Sequence, residues 1–216
     1  MWEDITNNNT GPIGMVSDAV WSDVNNDKLP DLIVVGEWMP VKVFINENGF
    51  FDAPKILPGS AGWWNCIDAN DIDNDGDMDY LLGNYGLNMK FKASEQKPFN
   101  MYVSDLDNNG RTDVILEWFT SEDSKPYPFA SKQDLTSQMP FLKKKALKYQ
   151  EFAKMQITDL FESEKLKSAI KGNVTNFSSS ILLNDKGNLN LISLPLEAQL
   201  SPIFTFSVID FDKDGI

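Results

Sequence analysis

Four stretches of the chain set oxygen-bearing side chains at alternate positions over nine residues. They are Asp23-Val24-Asn25-Asn26-Asp27-Lys28-Leu29-Pro30-Asp31, Asp71-Ile72-Asp73-Asn74-Asp75-Gly76-Asp77-Met78-Asp79 and Asp105-Leu106-Asp107-Asn108-Asn109-Gly110-Arg111-Thr112-Asp113, with a last that begins Asp210-Phe211-Asp212-Lys213-Asp214-Gly215-Ile216. Carboxylates this close repel one another unless something neutralises them. Hard oxygens at positions 1, 3, 5 and 9, with a sharp turn at 6, suit Ca²⁺, which takes about six to eight oxygen ligands. The expected side-chain ligands are Asp23, Asn25, Asp27 and Asp31; Asp71, Asp73, Asp75 and Asp79; Asp105, Asp107, Asn109 and Asp113; and Asp210, Asp212 and Asp214. Position 7 would add a backbone carbonyl from Leu29, Asp77 or Arg111. A plainer reading is a set of polar Asx turns without metal. Recurrence of the acids at the same offsets in one chain favours the ion, so Ca²⁺ is expected at three complete loops and at a fourth that is cut short.

Carboxylates at those positions number 13, and the formal net charge of the 216 residues is -13, so the acidity of the chain is mostly the acidity of its loops. Such a field opposes nucleic acid. There is no histidine, which excludes Ser-His-Asp triads, Cys-His pairs and His-ligated zinc or haem. One cysteine, Cys66, excludes an internal disulfide framework and a thiolate cluster and reads as a small core residue. A hydrophobic share of 42% suffices for a buried core. No apolar run is long enough to span a membrane. Met1-Trp2-Glu3-Asp4 opens without the basic-then-apolar pattern of a signal peptide, so none is expected within this stretch.

Helices flank the EF-hand loop, which closes with a bidentate Glu at position 12. Here that position holds Val34, Leu82 and Leu116, none of which ligates a metal. Leu32-Ile33-Val34-Val35, Tyr80-Leu81-Leu82 and Val114-Ile115-Leu116 follow the loops and read as buried strands. Before the loops, Ala19 and Trp21, Ile67 and Ala69, Met101 and Val103, and Phe206 and Val208 alternate with period two. Each loop is therefore expected to join two strands of a hairpin.

A longer repeat surrounds the loops. Phe44-Ile45-Asn46-Glu47-Asn48-Gly49 matches Leu182-Leu183-Asn184-Asp185-Lys186-Gly187, a strand running into a polar turn. Asp23 to Asp71 spans 48 residues, in the range of one four-stranded propeller blade. The 34-residue spacing from Asp71 to Asp105 predicts abbreviated outer strands near Tyr85 to Pro98. The 105-residue spacing from Asp105 to Asp210 predicts a helical insertion over about 131–171, between the inner and outer strands of the third blade, with Leu142, Ala146, Tyr149, Ala153 and Leu160 along one face. Its expected role is a cap over blade edges.

The loops Asp71–Asp79 and Asp105–Asp113, each followed by an apolar strand, and Gly83-Asn84-Tyr85-Gly86-Leu87-Asn88 after the second, resemble the FG-GAP/VCBS repeats of integrin α-chains. Leu194-Pro195-Leu196-Glu197-Ala198-Gln199 and Pro140-Phe141-Leu142-Lys143-Lys144 make the chain look closer to bacterial VCBS proteins near the ASPIC/UnbV and cartilage acidic protein group. The resemblance implies an all-β fold, a seven-bladed β-propeller in its parent form, and a secreted or cell-surface location. Residues 1–216 would then be part of one propeller domain, about three blades and parts of two others. Loop one departs from the pattern with Lys28 where the family prefers Gly.

The expected function is a calcium-binding, non-enzymatic scaffold for extracellular or cell-surface adhesion, with a protein or glycan ligand. The rival is a carbohydrate-active enzyme, a lyase or hydrolase, for which Glu37 and Glu117 are the candidate acids. An intracellular calcium buffer is disfavoured by position 12 and the strand pattern. Six tryptophans are expected mostly in packing, and in Trp63-Trp64 one ring should face outward unless covered. The acceptor patterns Asn173-Val174-Thr175 and Asn176-Phe177-Ser178 would matter only in a eukaryotic secretory host.

Overall fold

A computed structural model describes residues 12–120 and 123–210. Trp2, the Asn9-Thr10 stretch, Asp212 and Asp214 lie outside them. The described residues are mostly β, 37% strand against 15% helix, as expected of the class. It divides into two compact units, residues 1–90 with 176–216, and residues 91–175.

The first unit holds two sheets of one plan. In the first, β1 (Met15–Ser22) and β2 (Asp31–Met39) pair antiparallel across loop one, and β3 (Lys42–Phe44) and β6 (Lys55–Ile56) follow outward. A short ribbon of β4 (Asn46–Glu47) and β5 (Phe50–Phe51) interrupts them, and β7 (Gly62–Trp63) pairs with the end of β2. Ile33 and Val35 of β2 join one buried cluster while Val34 packs with Met39 and Phe44 in another. Both faces of this strand are covered, which is why its sequence is a continuous apolar run rather than an alternation.

The second sheet runs in the order β15 (Asn188–Ser193), β14 (Ser180–Asp185), β9 (Asp79–Gly83), β8 (Cys66–Asn70), with loop two between β8 and β9. Here the structure corrects the expected organisation. No strand forms over 85–98; the outer strands of this sheet come from beyond residue 175, with Ser180, Ile181 and Leu182 opposite Leu82, Leu81 and Tyr80. That register drives Leu182 into the core shared by both sheets, among Ile33, Val35, Val43, Trp64, Tyr80 and Leu82. The strand β9 needs hydrogen-bonding partners wherever the chain supplies them, and the entire second unit is spliced in between β9 and β14. Ile67 N–H donates to Asp18 Oδ2 at 3.0 Å and the Ser17 hydroxyl to Trp64 O at 2.6 Å, fastening β1 to the start of β8.

In the second unit β10 (Phe99–Ser104) and β11 (Asp113–Phe119) pair across loop three, β12 (Pro126–Pro128) extends the sheet beyond β11, and β13 (Ile170–Val174) adds on the β10 side. Five short helices lie between β12 and β13: α1 (Lys132–Gln138), α2 (Leu142–Lys145), α3 (Tyr149–Phe152), α4 (Ile157–Leu160) and α5 (Ser163–Ser168). Ser131 caps α1 by accepting from Asp134 N–H at 3.2 Å, and Pro140 follows just past its end. The expected single helical face is broken. Leu142 and Leu160 are buried with Leu106, Ile115 and Leu135, and Ala146 is buried, but Tyr149 is 65% exposed, because the backbone leaves helical angles at Ala146.

Trp64 is fully buried and donates Nε1–H to Ser60 O at 2.8 Å. Trp63 is covered by Trp38 and Tyr85, with ring centroids 4.9 and 4.8 Å away. Trp21 departs from the packing expectation, at 60% exposed. Cys66 is buried, and that burial pushes its thiol above its ordinary range. Residues 202–210 carry no strand, so the alternation read before the fourth loop has no sheet partner among the described residues. No described helix is long and apolar enough to cross a membrane.

Candidate metal centres

Each complete loop is built by one set of hydrogen bonds. The position-5 N–H donates to the side-chain oxygen of position 1: Asp27 to Asp23 at 3.0 Å, Asp75 to Asp71 at 3.2 Å, Asn109 to Asp105 at 3.0 Å. The same N–H reaches the position-3 oxygens of Asn25, Asp73 and Asp107. The position-6 N–H donates to the second oxygen of position 1, from Lys28 to Asp23 at 2.7 Å, Gly76 to Asp71 at 3.1 Å and Gly110 to Asp105 at 2.9 Å. The position-7 N–H groups of Leu29, Asp77 and Arg111 donate to Asp27, Asp75 and Asn109. These bonds curl the backbone around side chains 1, 3 and 5 and turn their oxygens inward.

Two left-handed residues make the curl possible. Position 4 is Asn26, Asn74 or Asn108, at φ of 61°, 59° and 61°, and position 6 is Lys28, Gly76 or Gly110, at 71°, 95° and 81°. Asparagine tolerates this region better than most side chains, and glycine is free of its cost. The recurring Asn at position 4 was a signal in the sequence that the metal-ligand pattern alone does not use. Lys28 bears a left-handed cost of roughly 1 kcal/mol that glycine would not. We predict that Lys28→Gly tightens calcium at loop one and raises the melting temperature more with calcium than with chelator, since it also removes a cation from the loop. Gly76→Ala, whose Cβ meets nothing within 4 Å, should weaken loop two by roughly 1 kcal/mol through backbone strain alone. Calorimetric titration of both variants checks the pair.

Position 9 closes each loop from below. Asp31 and Asp79 are 0% exposed and Asp113 4%. One oxygen of each accepts the position-2 N–H: Val24 to Asp31 at 3.0 Å, Ile72 to Asp79 at 2.9 Å, Leu106 to Asp113 at 3.0 Å. The other accepts from a distant segment, Asn46 N–H to Asp31 at 2.7 Å, Asn184 N–H to Asp79 at 2.9 Å and Gln138 Nε2–H to Asp113 at 3.1 Å. Asn46 and Asn184 are also acceptors for Gly49 and Gly187 N–H, at 2.7 and 2.8 Å. Their Asn-x-x-Gly turns recur in the sequence, but nothing there showed that they reach back to the acidic loops. Position 2 anchors loops one and three from the other side, with Val24 and Leu106 in the cores of their units.

Asp71, Asp73 and Asp79 bring carboxylate oxygens within 4.8 Å of one another, as do Asp105, Asp107 and Asp113. Both triads could hold a metal ion, and an all-oxygen donor set of this kind fits a hard cation such as Ca²⁺. Loop one replaces the position-3 acid with the amide of Asn25, whose Nδ2 donates to Asp27 at 3.0 Å. Loss of solvent, then repulsion from Asp75, Asp79 and Asp71, holds the Asp73 carboxyl above its ordinary range. Burial raises Asp31 against the pull of the Asn46 and Val24 N–H groups. Asp105 is lowered, first by the Gly110 N–H. A bound cation would favour the charged form of all three. The Asp77 carboxylate instead faces away from its own loop, toward the Lys186 N–H and the Asn26 amide, which lower it. Asp210 is exposed, and its partners Asp212 and Asp214 fall outside the described residues.

Glu117 is buried on β11 and accepts from Asn100 Nδ2 at 3.0 Å and from the Tyr102 hydroxyl at 3.3 Å. Burial raises its carboxyl above the usual range despite those donors, and burial next to Glu117 pushes the Tyr102 hydroxyl up to about 12. Glu37, on the other unit, is half-buried on β2 opposite Trp63.

Neither the curated proteins nor the solved structures gave a match. Residues 23–82 match the family model of the FG-GAP-like repeat, a span that opens on the first aspartate of loop one and closes in β9 just past loop two. Two acidic hairpin loops of one construction lie inside that matched span, and a third of the same construction lies outside it at 105–113.

Proposed function

We propose that this protein is a calcium-binding, non-enzymatic scaffold, a segment of a β-propeller that serves binding or adhesion at a cell surface or outside the cell. The observation that carries this reading is the common hydrogen-bonded shape of three acidic loops, each at the tip of a β-hairpin and each closed by a buried aspartate. In it Asp23, Asn25, Asp27 and Asp31, Asp71, Asp73, Asp75 and Asp79, and Asp105, Asp107, Asn109 and Asp113 supply side-chain oxygens, and Leu29, Asp77 and Arg111 supply carbonyls. Calcium would neutralise the carboxylates and pin each hairpin. The sheets are blades, and the 91–175 unit is an insertion within the second of them. Modules of this kind outside cells bind calcium at about 10⁻⁴–10⁻³ M, which suits extracellular concentrations. Partner recognition by a protein or glycan ligand belongs to this proposal.

The enzyme reading finds less support, since Glu117 is buried and committed to Asn100 and Tyr102. A screen of glycan substrates with Glu37→Ala and Glu117→Ala as controls separates the two. The scaffold reading expects no turnover by the wild type. Glycan cleavage that either substitution abolishes would overturn it.

A further inference from the structure

Loops one and two share parts that loop three lacks. Asn26, at position 4 of loop one, donates its side-chain amide to Asp77 Oδ1, at position 7 of loop two. The second oxygen of Asp77 accepts from Lys186 N–H at 2.9 Å, in the turn between β14 and β15. Two residues earlier, Asn184 gives its backbone N–H to Asp79 of loop two at 2.9 Å and its side-chain amide to Val24 O of loop one at 3.0 Å. Gly187 completes the turn, where a Cβ would lie 3.6 Å from the backbone of Asn25. One four-residue turn therefore braces position 9 of loop two and position 2 of loop one, while Asp77 ties the two loops directly. In loop three, Arg111 stands where Asp77 does and is exposed, and the closing aspartate takes its second bond from the Gln138 side chain.

We infer that loops one and two bind their cations as a coupled pair, through Asn26, Asp77 and the Asn184–Gly187 turn, while loop three binds independently. The inference rests on the calcium reading of the loops. Asp77 would contribute its carbonyl to the ion of loop two, so an ion there fixes the backbone that aims its carboxylate at Asn26. Asn26 in turn sets the left-handed bend, φ 61°, between positions 3 and 5 of loop one. Ordering either loop lowers the ordering cost left for the other, which is positive coupling between binding sites, and linkage makes it reciprocal. Asn26, Asp77 and Asn184 are positioning residues here, since none of their side chains is a ligand in this scheme.

The test is a calorimetric calcium titration of the full chain with loop three disabled by Asp105→Asn and Asp107→Asn. The affinity of loop two is compared with loop one intact and with loop one disabled by Asp23→Asn and Asp27→Asn. The coupling predicts that disabling loop one weakens loop two about fivefold or more. It further predicts that Asn26→Gly erases this difference, although every ligand of loop two remains. Asn26 is exposed and glycine accepts its left-handed angle, so this variant keeps the fold. An affinity at loop two that stays within about twofold when loop one is disabled overturns the coupling and leaves the calcium reading standing. Absence of any calcium binding with both loops intact overturns the calcium reading itself.

Discussion

Replacing Asp79 by alanine is expected to destabilise the protein by about 2–4 kcal/mol even in the presence of chelator. Its carboxylate is fully buried, and each oxygen satisfies a backbone N–H, Ile72 at 2.9 Å and Asn184 at 2.9 Å. Alanine leaves both donors without a partner, the buried Asn184 N–H at about 1–3 kcal/mol and the half-buried Ile72 N–H at less, since water reaches it. The Asn184 bond also fastens β14 to the loop, and β14 arrives only after an 85-residue excursion of the chain over 91–175. Relief of repulsion with the neighbouring acids offsets part of the loss. Asp75→Ala serves as the comparison, because Asp75 is exposed and accepts only the Asp77 N–H in the same loop, at 2.9 Å. Its metal-free cost should stay under about 1 kcal/mol. Urea unfolding of both variants in chelator measures the difference. Equal stabilities would mean that position 9 is a ligand only and not a structural brace.

Calcium is expected to raise the melting temperature of the wild type, and magnesium to do so far less. An ion that binds only the folded loop stabilises it by about 2.7 kcal/mol at a hundredfold excess over its Kd, reached near 10 mM for a site of about 10⁻⁴ M. One such loop lifts the melting temperature of a chain of this size by roughly 5–10 °C. Magnesium demands a tighter octahedron and gives up water reluctantly, so loops shaped for more oxygens take it weakly. The gain should shrink stepwise as loops are removed by Asp→Asn pairs at positions 1 and 3. Thermal scans in calcium, magnesium and chelator decide the matter, and curves that coincide would contradict metal binding in all three loops.

Much of this fold is legible in the sequence. The loops sit where the acids repeat, and the runs after them are strands, because alternation and β-branched content report on local pairing across a hairpin. What chain order could not show is which strand completes which sheet. Leu182–Gly187 and Phe44–Gly49 were visibly alike, yet their likeness reflects equivalent third strands of two sheets, β3 and β14, with the second unit between β9 and β14. Contacts over that range leave no local imprint on periodicity. Where one helical face was expected over about 131–171, five short helices lie over 132–168 and change direction where a single period assumes one axis. At the loops, ligand-type residues stood out by charge. The braces did not: Asn46, Asn184 and Gln138 each reach the closing aspartate of a loop through a single hydrogen bond, and polar residues in turns are common for local reasons.

The most direct measurement is native mass spectrometry of the calcium-equilibrated full chain beside a variant carrying Asp71→Asn and Asp73→Asn. Calcium-loaded hairpin loops predict three bound ions, one for each complete loop in the sequence, and a loss of at least one in the variant. No bound calcium at millimolar concentration, or the same number of ions after those two acids are gone, would contradict the account.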